Sequence, residues 1–156
     1  MRFNLINLFF KKNESRIEIG GKFLKNFEKN LQNLKNFKSN CIGTALYLTG
    51  EISEDIFLDD GDYEHILERM IELDFPLVGC VVGWRDTQNK DFYHMGVVTN
   101  LNPFLIINRR GMNGKIEKEH FKTVDKDYSI YVKKRNVKYF VPKTLELQIY
   151  EEFFSE

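Results

Sequence analysis

The spacing of apolar residues changes at Pro76, and this change limits the folds that the chain can adopt. Before Pro76, apolar residues recur every three or four positions from Lys22 to Phe37 and from Tyr63 to Leu73, which is the period of amphipathic helices. After Pro76, Leu77 to Trp84 form a continuous apolar run, typical of a strand that is buried on both faces. Helices followed by a run of strands predict an α+β domain with an antiparallel sheet.

The rest of the chain continues this order. Further strands are predicted at residues 92–99, 104–109, 128–133 and 137–141, and a short helix at residues 144–154. A length of 156 residues favours a single domain with a real core. We expect an N-terminal extension and helix at residues 1–38, a core at residues 39–141 and a C-terminal segment with a helix at residues 142–156.

Charge and composition exclude several classes of function. Lys plus Arg and Asp plus Glu both number 23, so the net charge is zero and no long-range attraction to nucleic acid or an anionic membrane is expected. The apolar run from Leu5 to Phe10 is followed, not preceded, by lysines, which is unlike a secretion signal and too short to span a bilayer. We expect a protein that stays in the cytoplasm or is released without a standard signal peptide. The Cys and His spacing predicts no disulfide framework, no metal and no cofactor.

Cys41 follows two residues that commonly cap helices, Ser39 and Asn40, and opens an apolar run. The side-chain oxygen of either residue can accept a hydrogen bond from the first turn of a helix, and Cys41, Ala45 and Leu48 then share one face. The positive end of the helix dipole lowers the pKa of a thiol, and the thiolate is the nucleophilic form. Packing of Cys41 as a small buried side chain explains the same pattern equally well.

His94, inside a predicted strand, is the candidate general base. If Thr99 pairs with Pro103 at the end of a hairpin, then His94 lies opposite Asn108, and directly opposite side chains are in contact. The Asn108 amide could then fix the tautomer of the ring, as the third group of a cysteine–histidine relay does. A cross-strand pair without chemistry is the alternative, and a slip of one residue would present Arg109 instead.

Three segments follow one another in a characteristic order: Asn40-Cys41-Ile42-Gly43, then His94-Met95-Gly96-Val97-Val98, then Ile106-Ile107-Asn108. They resemble the Asp-Cys-Ser-Gly motif, the His-Val-Gly-Ile strand and the final polar strand position of the NlpC/P60 family of papain-like cysteine peptidases. The resemblance covers residues 39–111. It implies a papain-like fold, in which the nucleophile helix packs on an antiparallel sheet, with Cys41 as nucleophile, His94 as base and Asn108 as the orienting residue.

The resemblance implies a cysteine hydrolase that cleaves an amide or peptide bond, without a cofactor, in a peptide or a peptidoglycan fragment. Arg109 and Arg110 follow Asn108 directly and are candidates for binding a substrate carboxylate, although a solvated strand end explains them as well. The alternative function is that of a catalytically silent papain-like domain that binds a partner, in which Cys41 is only packed.

Overall fold

The computed structural model of the chain describes residues 21–34, 39–88, 90–129 and 136–143. Within these ranges the helices are α1 (Gly21–Gln32), α2 (Cys41–Leu48), α3 (Asp60–Glu68) and α4 (Phe121–Tyr128). The strands are β1 (Met70–Leu73), β2 (Val81–Arg85), β3 (Phe92–Leu101), β4 (Phe104–Arg109), β5 (Ile116–His120) and β6 (Val137–Pro142). The predicted extension before α1 and the predicted helix at residues 144–154 lie outside the described residues.

The strands form one antiparallel sheet in the order β1-β6-β2-β3-β4-β5. Strands β2 to β5 follow one another as a meander, while β6 is inserted between β1 and β2. The predicted α+β class with an antiparallel sheet is confirmed. In the part of the chain that the structure describes, no helix is both long and apolar enough to cross a membrane.

Both faces of the sheet are buried, because helices pack on each of them. Side chains point alternately to the two faces along each strand. One face packs against α2 and α3 through Val81, Met95, Val97 and Ile107. The other face packs against α4 through Trp84, Val98 and Ile106, with Val124 as the buried apolar residue of the helix. Every residue of α2 after its first is buried, as expected for a helix that is apolar on all sides.

The helix predicted up to Leu73 ends earlier than expected. It begins at Asp60 and ends at Glu68. Asp59 is the capping residue, and its carboxylate accepts a hydrogen bond from the Asp62 backbone amide (3.2 Å). The residues that follow form β1, whose backbone pairs with β6. Pairing with a distant strand therefore overrides the helical spacing of the apolar residues there.

Two elements between residues 116 and 128 have no counterpart in the prediction. Strand β5 lies at the edge of the sheet and is mostly polar, so it lacks the apolar run that marks a buried strand. Helix α4 ends at Tyr128, where a strand was predicted to begin, and residues 130–133 of that predicted strand lie outside the described residues. The strand predicted from Leu77 begins only at Val81.

The predicted end of the β3–β4 hairpin is wrong. Leu101, not Thr99, is the last residue of β3 to pair, and its partner is Phe104 instead of Pro103. A register irregularity follows Val98. The connection is therefore shorter and β3 is longer than the sequence indicated, while β4 has the predicted bounds.

The changed register moves Asn108 along β3 but not to the other face. Gly96, instead of His94, lies directly opposite Asn108. The displacement is two residues, an even number, so Asn108 and His94 still share one face of the sheet.

Candidate active site

Helix α2 begins at Cys41, as predicted. Asn40 is the capping residue: its side-chain oxygen accepts from the Gly43 amide (2.8 Å), and its side-chain nitrogen donates to the Leu58 carbonyl (2.8 Å). A Cβ at Gly43 would collide with the carbonyl oxygen of Ile56. The first turn of α2 can therefore lie against the backbone of Ile56, in the loop between α2 and α3, only because residue 43 has no side chain.

Arg109, a predicted candidate for binding a substrate carboxylate, is buried away from solvent. Its guanidinium forms an ion pair with Asp55 (2.9 Å) and donates to the Thr44 hydroxyl (2.8 Å) and the Gly114 carbonyl (2.9 Å). The Ser39 hydroxyl bonds to the same Asp55 carboxylate. These contacts join α2 and Ser39, the residue before its cap, to β4, so Arg109 holds α2 in place.

The sulfur of Cys41 lies against β3. The backbone N–H of Met95 acts to lower the pKa of the thiol, and the pairing of β3 with β4 starts only at Gly96. The body of α2 packs on the face of the sheet that carries Met95. The start of α2 thus lies near Met95, the residue that follows His94 in β3.

The His94 ring is fully buried on the other face. It stacks on Tyr128, with ring centroids 4.1 Å apart and planes inclined by 6°, and it lies 5.5 Å from the Trp84 ring. Burial raises the pKa of Tyr128, and the charge of Cys41 is the next largest cause. The same tyrosine is therefore a neighbour of both the candidate nucleophile and the candidate base.

The hydrogen bonds of Asn108 determine the tautomer of His94. The side-chain nitrogen of Asn108 donates to Glu119 Oε2 (2.8 Å) and to the Glu117 carbonyl (3.3 Å), so its oxygen faces His94 Nε2 at 2.7 Å. Only an acceptor is available to Nε2, and Nε2 must therefore carry the proton. In the neutral ring, Nδ1 then holds the lone pair.

Nδ1 of His94 is buried and has no hydrogen-bond partner among the described residues. Nearly all buried polar atoms in folded proteins have a partner, and an exception requires an explanation. Nδ1 is therefore the ring nitrogen of His94 that remains available to accept a proton.

Burial determines the protonation of both groups. It raises the pKa of the Cys41 thiol, although the amides of Met95, Ile42 and Cys41 itself act in the opposite direction. Burial lowers the pKa of His94 to about 4, although the hydrogen bond with Asn108 acts to raise it. The prediction of a low thiol pKa at the helix start is thus corrected, because burial outweighs the dipole. At neutral pH the groups are a thiol and a neutral imidazole.

Three residues at this site were missed by the sequence prediction: Glu119, Asp127 and Tyr128. Arg110 binds both oxygens of Glu119 (2.8 and 2.9 Å) and also Asp127 (2.6 Å). Its side chain is about one third exposed. A continuous chain of polar contacts therefore runs from His94 through Asn108, Glu119 and Arg110 to the end of α4.

Among the described residues, no group of three or more His, Cys, Asp or Glu side chains is placed to hold a metal ion. Comparison of the chain with models of known protein families, with curated proteins and with solved structures found no match. A function for this chain is therefore inferred from the geometry of the site and the chemistry of its residues.

Proposed function

We propose that the chain is a cysteine hydrolase that cleaves an amide or peptide bond through Cys41, His94 and Asn108. The observation that carries the proposal is the state of the His94 ring: Nε2 is held by Asn108, while Nδ1 is buried without a partner. The backbone of Met95, the next residue along the same strand, is near enough to Cys41 to lower the pKa of its thiol.

A papain-like fold is part of the proposal. It is supported by a helix that begins at the cysteine and packs on an antiparallel sheet. It is further supported by the position of the histidine on a strand of that sheet and of the amide on the neighbouring strand.

The protonation of the two groups at neutral pH favours general-base catalysis. As the sulfur forms a bond to the carbonyl carbon, its proton passes to Nδ1 of His94, and the carbonyl electrons move to the oxygen. The amide N–H of Cys41, at the start of α2, is suited to stabilise that oxyanion. The imidazolium then protonates the leaving amine as the C–N bond breaks, and water, deprotonated by His94, hydrolyses the thioester.

The substrate class follows the resemblance to NlpC/P60 peptidases: a peptide with a γ-glutamyl link or a D-amino acid, such as a peptidoglycan fragment. Of the two predicted carboxylate-binding residues, only Arg110 has an exposed side chain. A substrate carboxylate would reach it by replacing Asp127, whose side chain is about half exposed.

The test is amine release from a γ-D-glutamyl peptide and from an all-L peptide of the same length. We expect release by the wild type and by Cys80→Ala, the matched control at the second cysteine, and none by Cys41→Ala or His94→Gln. Equal release by the wild type and Cys41→Ala would rule out Cys41 as the nucleophile.

A silent binding domain is the second candidate, and the two pKa directions favour it. A thiol with a raised pKa beside an imidazole that stays neutral is also what a packed, inert pair looks like. In that case Cys41 would be alkylated no faster than Cys80 in the folded protein, and no peptide would be cleaved.

A further inference from the structure

We propose that Glu119 is a positioning residue for the base: it fixes the Asn108 amide and thereby selects the tautomer of His94 in which Nδ1 is basic. The catalytic part of this inference rests on the proposed function. The selection of the tautomer does not, because it is a property of the folded protein with or without a substrate.

The Asn108 side chain is bound at both ends. Its oxygen lies 2.7 Å from His94 Nε2, and its nitrogen donates to Glu119 Oε2 at 2.8 Å. If the amide were rotated by half a turn, its oxygen would face the Glu119 carboxylate, which has no proton to donate. The carboxylate therefore favours one orientation of the amide.

Glu119 is itself held in place. Arg110 donates to both of its oxygens through Nε and Nη2 (2.9 and 2.8 Å), the paired geometry that fixes a carboxylate most firmly. A second carboxylate, Asp127 of α4, holds the Nη1 atom of the same guanidinium (2.6 Å). Arg110 is the largest cause that keeps the pKa of Glu119 below its usual range, so Glu119 is ionised at neutral pH.

Gly96 leaves room for this arrangement. It lies directly opposite Asn108, and a Cβ there would lie 3.1 Å from the Asn108 Cβ and 3.0 Å from the Ile107 carbonyl oxygen. Without a side chain at residue 96, the Asn108 amide can lean along the strand and reach His94.

Loss of the carboxylate would release the amide. The Glu117 carbonyl, at 3.3 Å, would remain as the only described acceptor for the Asn108 nitrogen. An amide that turns its nitrogen toward Nε2 requires Nε2 to accept, and the ring proton must then move to Nδ1. Nδ1 could no longer take the proton of the thiol.

Several groups of other elements face the ring or its partners and can also affect its titration. They are Cys41 of α2, Trp84 of β2, Asn108 of β4, Arg110 after β4, Glu119 of β5, and Asp127 and Tyr128 of α4. Of the charged members, Glu119 raises the pKa of His94 and Arg110 lowers it.

The test is nitrogen-15 NMR of the histidine rings at pH 7, which distinguishes a protonated from an unprotonated ring nitrogen. His65→Gln and His120→Gln, both at exposed positions, assign the remaining signals to His94. We expect the wild type to carry the proton on Nε2 and Glu119→Leu to show both tautomers. Glu117→Leu, which changes an exposed side chain on the same strand, is the matched control and should keep the wild-type pattern.

A second measurement does not depend on the folding of Glu119→Leu. In Glu119→Gln the pKa of His94 should fall, because a negative neighbour is lost, and in Arg110→Gln it should rise, because a positive neighbour is lost. Shifts of the same sign in both variants, or an unchanged tautomer in Glu119→Leu, would overturn the inference.

Failure of this inference can be separated from failure of the proposed function. A wild type that cleaves no peptide but loses its tautomer with Glu119 would contradict the function and support the inference. A Glu119→Leu variant that keeps both wild-type turnover and the wild-type tautomer would overturn the inference and leave the function standing.

Discussion

The His94 side chain makes the stability of the fold depend on pH. Its pKa is about 4 when folded, against an ordinary value of 6.5, so between these values the unfolded chain binds the proton more readily. Its contribution to stability is therefore present above about pH 6.5 and is lost as the pH falls through about 4. The full loss amounts to about 3 kcal/mol of the free energy of unfolding.

Denaturant unfolding of the wild type and of His94→Gln between pH 7 and pH 4 measures this loss. We expect the free energy of unfolding to fall less steeply with acid in His94→Gln. His65→Gln, at an exposed histidine, should follow the wild type. Parallel curves for the wild type and His94→Gln would show that the ring is not buried as a neutral group.

The Cys41 thiol should react slowly at pH 6. Burial raises its pKa above the ordinary value of 9.0, so the alkylation rate with iodoacetamide should rise with pH into the alkaline range. Burial raises the pKa of Cys80 to about 12, and that thiol should react only after unfolding. Mass spectrometry distinguishes the two sites. Fast labelling of Cys41 at pH 6 would instead indicate a thiolate paired with an imidazolium.

Asn108 should affect turnover without being essential to it. In the proposed mechanism Asn108→Ala leaves nucleophile and base in place, so a reduced kcat is expected. Asn108→His retains a polar partner for His94 and should be tolerated better than Asn108→Leu, which leaves a buried donor unpaired at a cost of about 1–3 kcal/mol in stability. Equal kcat in all three variants would show that the amide does not orient the base.

The residues of the site differ in how far the sequence reveals them. Cys41 and His94 have local signatures, a helix cap and a polar ring in an apolar strand, and both were predicted. The burial of Arg109 could not be predicted because its partner, Asp55, lies 54 positions earlier, and no local sequence pattern indicates this pairing. Glu119 was missed because its role depends on a register that the sequence did not determine.

Among the elements, the start of α2 is the most sensitive to substitution. Gly43→Ala would drive its Cβ into the Ile56 carbonyl, so helix or loop must move. We expect the free energy of unfolding to fall by more than about 2 kcal/mol. Gly61→Ala in α3 is the control, since the nearest atom there is 3.8 Å away; alanine favours a helix and should raise stability by up to about 1 kcal/mol. Equal urea unfolding midpoints in Gly43→Ala and the wild type would show that the backbone around Ile56 can move at little cost in stability.

The boundaries of helices and strands were predictable where the spacing of apolar residues fits only one type of element. The start of α2 was found because a capping residue precedes a long apolar run. The end of α3 was missed because Met70 and Leu73 fit a helix face and a short edge strand equally well, and only pairing with β6 decides between them. The polar edge strand β5 offered no periodic signal.

At the scale of the whole molecule, the site is assembled from segments that are far apart in the chain. Helix α2 supplies the thiol, the adjacent strands β3 and β4 supply the ring and the amide, and β5 supplies the carboxylate. The α+β class could be predicted, because apolar residues have helical spacing before Pro76 and strand-like runs after it. The sheet order could not, because no property of β6 alone indicates that it lies between β1 and β2.

The position of β6 has a consequence for the order of folding. Strands β2 to β5 pair with their neighbours in sequence, and such local contacts form early. Strand β1, in contrast, pairs with β6, the last strand of the described chain. In pulsed hydrogen exchange during refolding we expect amides of β3 and β4 to be protected before those of β1, and simultaneous protection would contradict this order.

Before β6 pairs with β2 during folding, one edge of β2 has no neighbouring strand. Val81 and Val82 of β2 are fully buried in the native protein, so at that stage they lie in an unpaired edge strand. An exposed apolar edge is a template for pairing with a second chain. We therefore expect the yield of refolded protein to fall at high protein concentration because of aggregation. At that stage the strands that carry His94, Asn108 and Glu119 are already paired.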